Sequence, residues 1–170
     1  MGLALTSFHI AILFIAAAIL VAAAVSDAYS YRIPNYLCGL LVALFPAFVA
    51  TAPRGVEWSQ NAMVFGLVAL AGFAMFMGQL AGAGDVKLLS AASLWAGPHL
   101  IAVLLVVTAV AGGVLSLFMA LKTHRRNAAE GGTEGGGIQI AKVPIPYGVA
   151  IASGGVVALA MLARPILLPA

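Results

Sequence analysis

The hydrophobic residues of the chain fall into long runs that no charged residue interrupts. Short stretches containing Asp, Glu, Lys or Arg separate five such runs, which cover residues 2–26, 33–53, 58–84, 88–121 and 143–163. A transmembrane helix needs roughly 20 mainly apolar residues, with a rise of about 1.5 Å per residue. Four of the five runs have a suitable length, and the pattern predicts one membrane-spanning helix in each of these four.

The fourth run, 88–121, is too long for one comfortable span at 34 residues, and it contains Gly97-Pro98. Proline removes a backbone donor and disfavours helix at the residue before it. The pattern therefore predicts a short helix from about Leu88 to Ala96 and a full-length helix from about His99 to Leu121. This interpretation gives six spans, whereas a single kinked helix over the whole run would give five.

The distribution of Lys and Arg favours six spans. In that arrangement only Arg54 and Arg164 lie on one side of the membrane, and the other basic residues share the opposite side: Arg32, Lys87, Lys122, Arg125, Arg126 and Lys142. Basic residues concentrate in cytoplasmic loops, so the pattern predicts that both termini lie outside. With five spans, the segment 122–142 would lie on the opposite side from Arg32 and Lys87.

The composition agrees with a membrane protein and excludes a water-soluble enzyme. Hydrophobic residues make up 64% of the chain and charged residues 8%, against about 25% charged residues in a typical soluble domain. We therefore expect an all-α integral membrane protein of about six transmembrane helices, with residues 1–170 forming a single domain. The segment 122–142 is polar and glycine-rich, which predicts a flexible cytoplasmic linker inside this domain.

The chain offers little material for metal or disulfide chemistry. Cys38 is the one cysteine, and the three histidines are scattered without the spacing of metal ligands. We expect no metal and no cofactor. The net charge of +3 is explained by membrane topology, and we expect no nucleic-acid partner.

Two aspartates stand out among the few charged residues. Asp27 follows the first predicted span and Asp85 follows the third, so both are expected at the cytoplasmic ends of helices. An ionisable residue at the edge of a span is a functional hypothesis, because its burial is costly. The alternative is that each aspartate only caps a helix. Gly82 and Gly84 remove side chains beside Asp85, so an extended peptide could approach it closely.

A pair of neighbouring carboxylates can share one proton and perform general acid–base hydrolysis of a peptide bond. The chain contains neither G-x-S-x-G nor H-E-x-x-H, so no other hydrolytic motif competes. Two other classes of function stay open. A small ion- or proton-coupled transporter could use Asp27 and Asp85 as ligands or relays, although transport sites usually lie near the bilayer midplane. A membrane assembly factor would need neither acid.

Three segments of the chain carry a family resemblance. They are Asp27 with Arg32-Ile33-Pro34-Asn35, then Gly82-Ala83-Gly84-Asp85-Val86-Lys87-Leu88, and finally Val143-Pro144-Ile145-Pro146-Tyr147-Gly148-Val149-Ala150. In type and order they resemble the type IV prepilin peptidase family of membrane aspartyl proteases. The resemblance implies that Asp27 and Asp85 are the catalytic pair. It also implies cleavage of prepilins or pseudopilins, behind a short basic leader, at the cytoplasmic face of the bacterial inner membrane, beside the pilus or secretion assembly machinery.

The chain is shorter than the larger members of that family. Those carry a cytoplasmic region between the first two spans, often with paired cysteines, which is linked to N-methylation of the cleaved pilin. Here only residues 28–32 separate the first two runs. The sequence therefore predicts a peptidase without methyltransferase activity, similar to the short enzymes that serve tight-adherence (Flp-type) pili.

Four further residues are expected to bind the substrate: Gly82, Gly84, Lys87 and Tyr147. For Lys87 the alternative is a basic anchor at the membrane surface. Trp95, near a predicted span end, is expected in the interfacial aromatic belt. Asn61 lies within an apolar run, which predicts a hydrogen bond between helices.

Overall fold

The computed structural model describes residues 2–52, 56–129 and 145–167, with side chains described over 6–52, 56–125 and 145–165. Within these residues the regular structure is entirely α-helical, which confirms the predicted all-α class. Five helices follow one another along the chain: α1 Gly2–Ser30, α2 Asn35–Thr51, α3 Trp58–Met77, α4 Ala83–Ala129 and α5 Tyr147–Leu167.

The helices have the length and surface of a membrane protein. In the described part of the chain, α1, α3, α4 and α5 are long and apolar enough to cross a membrane, and α2 is a shorter apolar helix of 17 residues. Large apolar side chains such as Phe14, Leu70 and Val106 are more than half exposed. Such a surface is unfavourable in water, but lipid tails are as apolar as these side chains.

Helix α4 is broken where the sequence predicts a break. Gly97 has φ 56° and ψ −169°, which is not helical, and Pro98 follows it. Proline has no N–H to donate to the carbonyl four residues earlier, which is that of Leu94. In its place, the Nδ2 of Asn61 donates to the Leu94 carbonyl oxygen at 2.8 Å. The predicted interhelical hydrogen bond of Asn61 thus satisfies the acceptor that the proline leaves free.

Contacts with α3 and α5 show that α4 turns back at Gly97. Its first arm, residues 83–96, packs against α3, with Val86 beside Gly72 and Leu94 bonded to Asn61. These two contacts run in opposite directions along the two helices, so the first arm is antiparallel to α3.

The second arm of α4, residues 98–129, packs against α5. Leu104 contacts Gly154 and Gly112 contacts Tyr147, so this arm is antiparallel to α5. Since Gly112 lies beside the start of α5, the second arm returns to the end of the bundle at which α4 begins. This end, where α1 and α3 finish and α2, α4 and α5 start, is called the acidic end below because it carries Asp27 and Asp85.

The ends of α4 differ from the predicted helix boundaries. The first arm begins at Ala83 instead of about Leu88, and the second arm continues to Ala129 instead of ending at about Leu121. Residues 122–129 of the expected linker are therefore helical. The rest of the expected linker, 130–142, lies outside the described residues.

An aromatic cluster lies in the core, away from the acidic end. Trp95 is 2% exposed, and its ring meets Phe45 edge-on at 5.7 Å and lies 5.1 Å from Phe48. Its Nε1 donates to the carbonyl oxygen of Leu41 at 3.1 Å. The expectation that Trp95 lies in an interfacial belt is wrong, because the turn at Gly97 places this residue inside the bundle.

Candidate active site

The carboxylate of Asp27 is held by the start of α5. Asp27 lies near the end of α1 and is 5% exposed, and its Oδ2 accepts the backbone N–H of Gly148 at 2.7 Å. Gly148 is the second residue of α5. The first N–H groups of a helix have no partner within the helix and carry the positive end of its dipole. A negative charge on Asp27 is therefore stabilised from a residue 121 positions further along the chain.

The contact between Asp27 and α5 requires glycine at position 148. A β-carbon on Gly148 would lie 2.8 Å from Oδ2 of Asp27 and 2.9 Å from Cδ1 of Ile33. Both distances are shorter than a carbon atom tolerates without movement of its neighbours. Only a residue without a side chain lets α5 approach Asp27 this closely.

Asp85 lies in the first turn of α4. Its side chain folds back over the residue that precedes the helix, since a β-carbon on Gly82 would lie 2.8 Å from Oδ2 of Asp85. The N–H of Val86 donates to the Gly82 carbonyl oxygen at 3.1 Å and closes this turn. The bare backbone at Gly82 thus leaves space for the Asp85 carboxylate itself.

Ile33 connects the two carboxylate-bearing segments. It packs against Gly84 of α4, where a β-carbon would lie 3.4 Å from Cβ of Ile33, and it also contacts Gly148 of α5. Asp27 and Asp85 are close enough for their charges to interact. The structure therefore brings together the two aspartates that the sequence singles out, with the starts of α4 and α5 packed around Ile33.

A tight turn between α1 and α2 positions Ile33. Tyr31 has a left-handed φ of 51°, and its N–H donates to the Asp27 carbonyl oxygen at 2.8 Å. The hydroxyl of Ser26 donates to the Arg32 carbonyl oxygen at 2.9 Å. These bonds reverse the chain directly after Asp27 and bring Ile33 against α4 and α5. The sequence pattern does not predict the structural roles of Ser26 and Ile33, because both depend on this turn.

Lys87 lies on a different side of α4 from Asp85. Two residues along an α-helix correspond to a rotation of about 200°. The Nζ of Lys87 donates to Oδ1 of Asn35, the first residue of α2, at 2.9 Å. Lys87 is therefore close to Asp85 in sequence, but its side chain contacts the start of α2 on a different face of α4.

Tyr147 is the first residue of α5 and precedes the glycine that binds Asp27. Its side chain is 43% exposed, its ring contacts Gly112, and its hydroxyl lies 3.4 Å from Oγ of Ser116. The structure thus places Tyr147 at the acidic end with an accessible face. Among the described residues, no group of three or more His, Cys, Asp or Glu side chains is arranged to hold a metal ion.

The fold and this site define a class: a helical membrane protein with two interacting carboxylates at the ends of its helices. The chain belongs to the type IV leader peptidase family, whose model matches residues 14–117. This confirms the predicted family. The matched range contains Asp27 and the segment 82–88, and it ends before Tyr147. No curated protein and no solved structure matches the chain. The family implies a membrane protease that acts on prepilin substrates.

Proposed function

We propose that this chain is an aspartyl endopeptidase that uses Asp27 and Asp85 to remove the short basic leader of Flp-type prepilins or pseudopilins. The observation that carries the proposal is the convergence of these two carboxylates, around Ile33, at the helix ends. Their position at the ends of helices favours a peptidase over a transporter, because transport sites usually lie near the bilayer midplane.

The surroundings of the two acids give them different roles. The N–H of Gly148 and the start of α5 stabilise a negative charge on Asp27. Two close carboxylates share one proton, so the proton resides on Asp85. Asp27 is then the general base, which accepts a proton from the attacking water. Asp85 is the general acid, which donates its proton to the carbonyl oxygen of the scissile bond.

The cycle closes without a covalent intermediate. The oxygen of water bonds to the carbonyl carbon, which gives a tetrahedral intermediate with two hydroxyl groups. Asp27 then returns its proton to the leaving nitrogen as the carbon–nitrogen bond breaks. One hydroxyl of the intermediate gives a proton back to Asp85 as the new carbonyl forms. Both carboxyl groups regain their starting states, and the water is divided between the two products.

The substrate reaches the pair as an extended peptide. The backbone of Gly82 is exposed and that of Gly84 is half-buried beside Asp85, and Tyr147 offers an exposed ring next to Gly148. We assign these three residues to substrate binding. Lys87 lies on another surface of α4, so its contact with the substrate would be made outside the immediate surroundings of the two acids.

We place the acidic end at the cytoplasmic face of the bacterial inner membrane. The return of the second arm of α4 supports six membrane crossings, for which both termini lie outside. Arg32, Lys87, Lys122 and Arg125 then lie toward the cytoplasm, as the positive-inside rule requires. Residues 31–34 alone connect α1 and α2, and this connection is too short to contain a methyl-transfer domain. We therefore propose peptidase activity alone.

The proposal is tested by processing of a Flp-type prepilin in membranes, followed as a mobility shift. Asp27→Asn and Asp85→Asn should each abolish cleavage and leave the protein inserted, because asparagine preserves size but cannot exchange the proton. Glu57→Gln is the matched control, since Glu57 is an exposed acid at the opposite end of the bundle, and it should cleave normally. Normal processing by Asp85→Asn would reject the mechanism.

A further inference from the structure

A groove opens on the side of α4 that faces away from Asp85. It has a volume of about 840 Å³ and lies between α2, α3 and the first arm of α4. Its walls include Gly39, Val42, Phe65, Phe73 and Val86. Neither Asp27 nor Asp85 lines it, so the groove is distinct from the candidate active site.

The groove has a polar end and an apolar length. Lys87 and Asn35 line it where α4 and α2 begin, at the acidic end of the bundle. Ser90 also lines it, but its hydroxyl donates to the Val86 carbonyl oxygen at 2.8 Å and is thereby occupied. Phe73 is more than half exposed. The apolar part is therefore open to the surroundings of the helices, which are lipid.

Lys87 has donors to spare at this polar end. A lysine ammonium carries three N–H donors, and one of them is directed to Oδ1 of Asn35 at 2.9 Å. Lys87 is exposed and forms no ion pair within the described part of the chain. An acceptor with negative charge would complement it, and the amide nitrogen of Asn35 would supply a further donor beside it.

We propose that this groove binds one anionic phospholipid, with its phosphate on Lys87 and Asn35 and an acyl chain along the apolar walls. The arrangement of a cation at the mouth and hydrocarbon along the length matches a lipid that lies parallel to the helices. Basic pockets between transmembrane helices bind anionic headgroups in this way. The acyl chain gains little by leaving bulk lipid for an apolar groove, so the selectivity resides in the headgroup charge.

The test uses the full-length protein in phosphatidylcholine vesicles that contain a small fraction of photoreactive lipid. The probe is phosphatidylglycerol with a diazirine in its acyl chain, and phosphatidylcholine with the same diazirine is used in parallel. Labelled peptides are identified by mass spectrometry. We expect several-fold more labelling of the groove helices by phosphatidylglycerol than by phosphatidylcholine. Equal labelling by the two lipids would overturn the proposal.

Two lysine variants test the headgroup contact. Lys87→Gln should reduce labelling by phosphatidylglycerol to the level of phosphatidylcholine, and Lys87→Arg should retain the preference because it retains the charge. A preference that survives in a folded Lys87→Gln protein would contradict the proposal. Circular dichroism in the same vesicles verifies that each variant is folded. If Lys87→Gln does not fold, Lys87→Arg serves as the test in its place. Loss of the preference for phosphatidylglycerol in Lys87→Arg would also contradict the proposal.

Two glycine variants test the acyl-chain contact. A β-carbon on Gly39 meets nothing within 4 Å, and Gly39 lines the groove, so the larger side chain of Gly39→Leu occupies space in the groove. It should remove most of the labelling. Gly113→Leu is the matched control, because Gly113 also has open space around it but does not line the groove, and its labelling should equal that of the wild type. Unchanged labelling of Gly39→Leu, or displacement of the lipid by a prepilin helix probe that labels the groove instead, would overturn lipid as the occupant.

Discussion

The replacement of Gly148 by alanine isolates the contact between α5 and Asp27. The added methyl group would lie 2.8 Å from Oδ2 of Asp27, 3.0 Å from its Cβ and 2.9 Å from Cδ1 of Ile33. Because these atoms surround it on two sides, the carboxylate must move away from the Gly148 N–H. The 2.7 Å hydrogen bond is then lost.

Two effects of Gly148→Ala can be estimated separately. Overpacking of a well-packed site lowers the free energy of unfolding by about 1–3 kcal/mol. The clash also moves the Asp27 carboxylate, the general base, relative to the attacking water, and a misplacement of about 1 Å slows a reaction by roughly 100-fold. We therefore expect kcat/KM for prepilin cleavage to fall by that factor in a protein that is still folded.

The assay is the rate of prepilin processing in vesicles, read together with the thermal unfolding of each variant. Gly113→Ala is the control, since a β-carbon at Gly113 meets nothing within 4 Å, and it should cleave at the wild-type rate. The double variant Ile33→Val, Gly148→Ala removes Cδ1 of Ile33, the atom that the added methyl group would meet, and leaves the contact with Asp27 in place. It should recover part of the stability and none of the activity. A Gly148→Ala enzyme with wild-type kcat/KM would refute the role assigned to this contact.

Three further outcomes are expected. Gly97→Ala should lower the free energy of unfolding by about 1–3 kcal/mol, because alanine is strained at φ 56°. A denaturation curve in detergent measures this free energy, and an unchanged midpoint would contradict the prediction. Asn61→Leu should lower the free energy of unfolding by about 1–3 kcal/mol in the same measurement, because it leaves the Leu94 carbonyl without a donor. The orientation is tested with a membrane-impermeant thiol reagent in a Cys38→Ser background. The reagent should label Ser59→Cys in intact cells, but it should label Lys122→Cys only after permeabilisation. The reverse pattern would invert the proposed orientation.

The general architecture can be predicted because its causes are local. The length of an apolar run indicates a membrane helix wherever it occurs, and Pro98 lacks an N–H in any context. The break at Gly97 confirms the second prediction. The first is confirmed for α1, α3, α4 and α5, which are long and apolar enough to cross a membrane, whereas α2 is shorter. The predicted end of α4 is wrong for a related reason. A charge marks the edge of the apolar run, but Lys and Arg are good helix formers in water, so α4 continues to Ala129.

The details of the site depend on contacts that a local pattern does not contain. The segment with Tyr147 and Gly148 is identified by resemblance alone, and the bond from Gly148 to Asp27 joins residues from opposite ends of the chain. The prediction for Trp95 is wrong because its burial depends on the direction in which α4 turns. The groove beside Lys87 is formed by three helices, and nothing in the order of residues along any one of them indicates it.

The lengths of the helices around the groove have a consequence for the lipid next to them. Helix α2 has 17 residues and is about 26 Å long, and the first arm of α4, residues 83–96, is about 21 Å long. The hydrocarbon core of a bilayer is about 30 Å thick. A bilayer in contact with helices shorter than its core becomes thinner or draws polar groups inward. Residues 90–96 of the first arm are buried in the bundle, so α2 is the short helix that lipid contacts. We therefore expect a thinner bilayer beside α2, which brings water closer to the acidic end of the bundle.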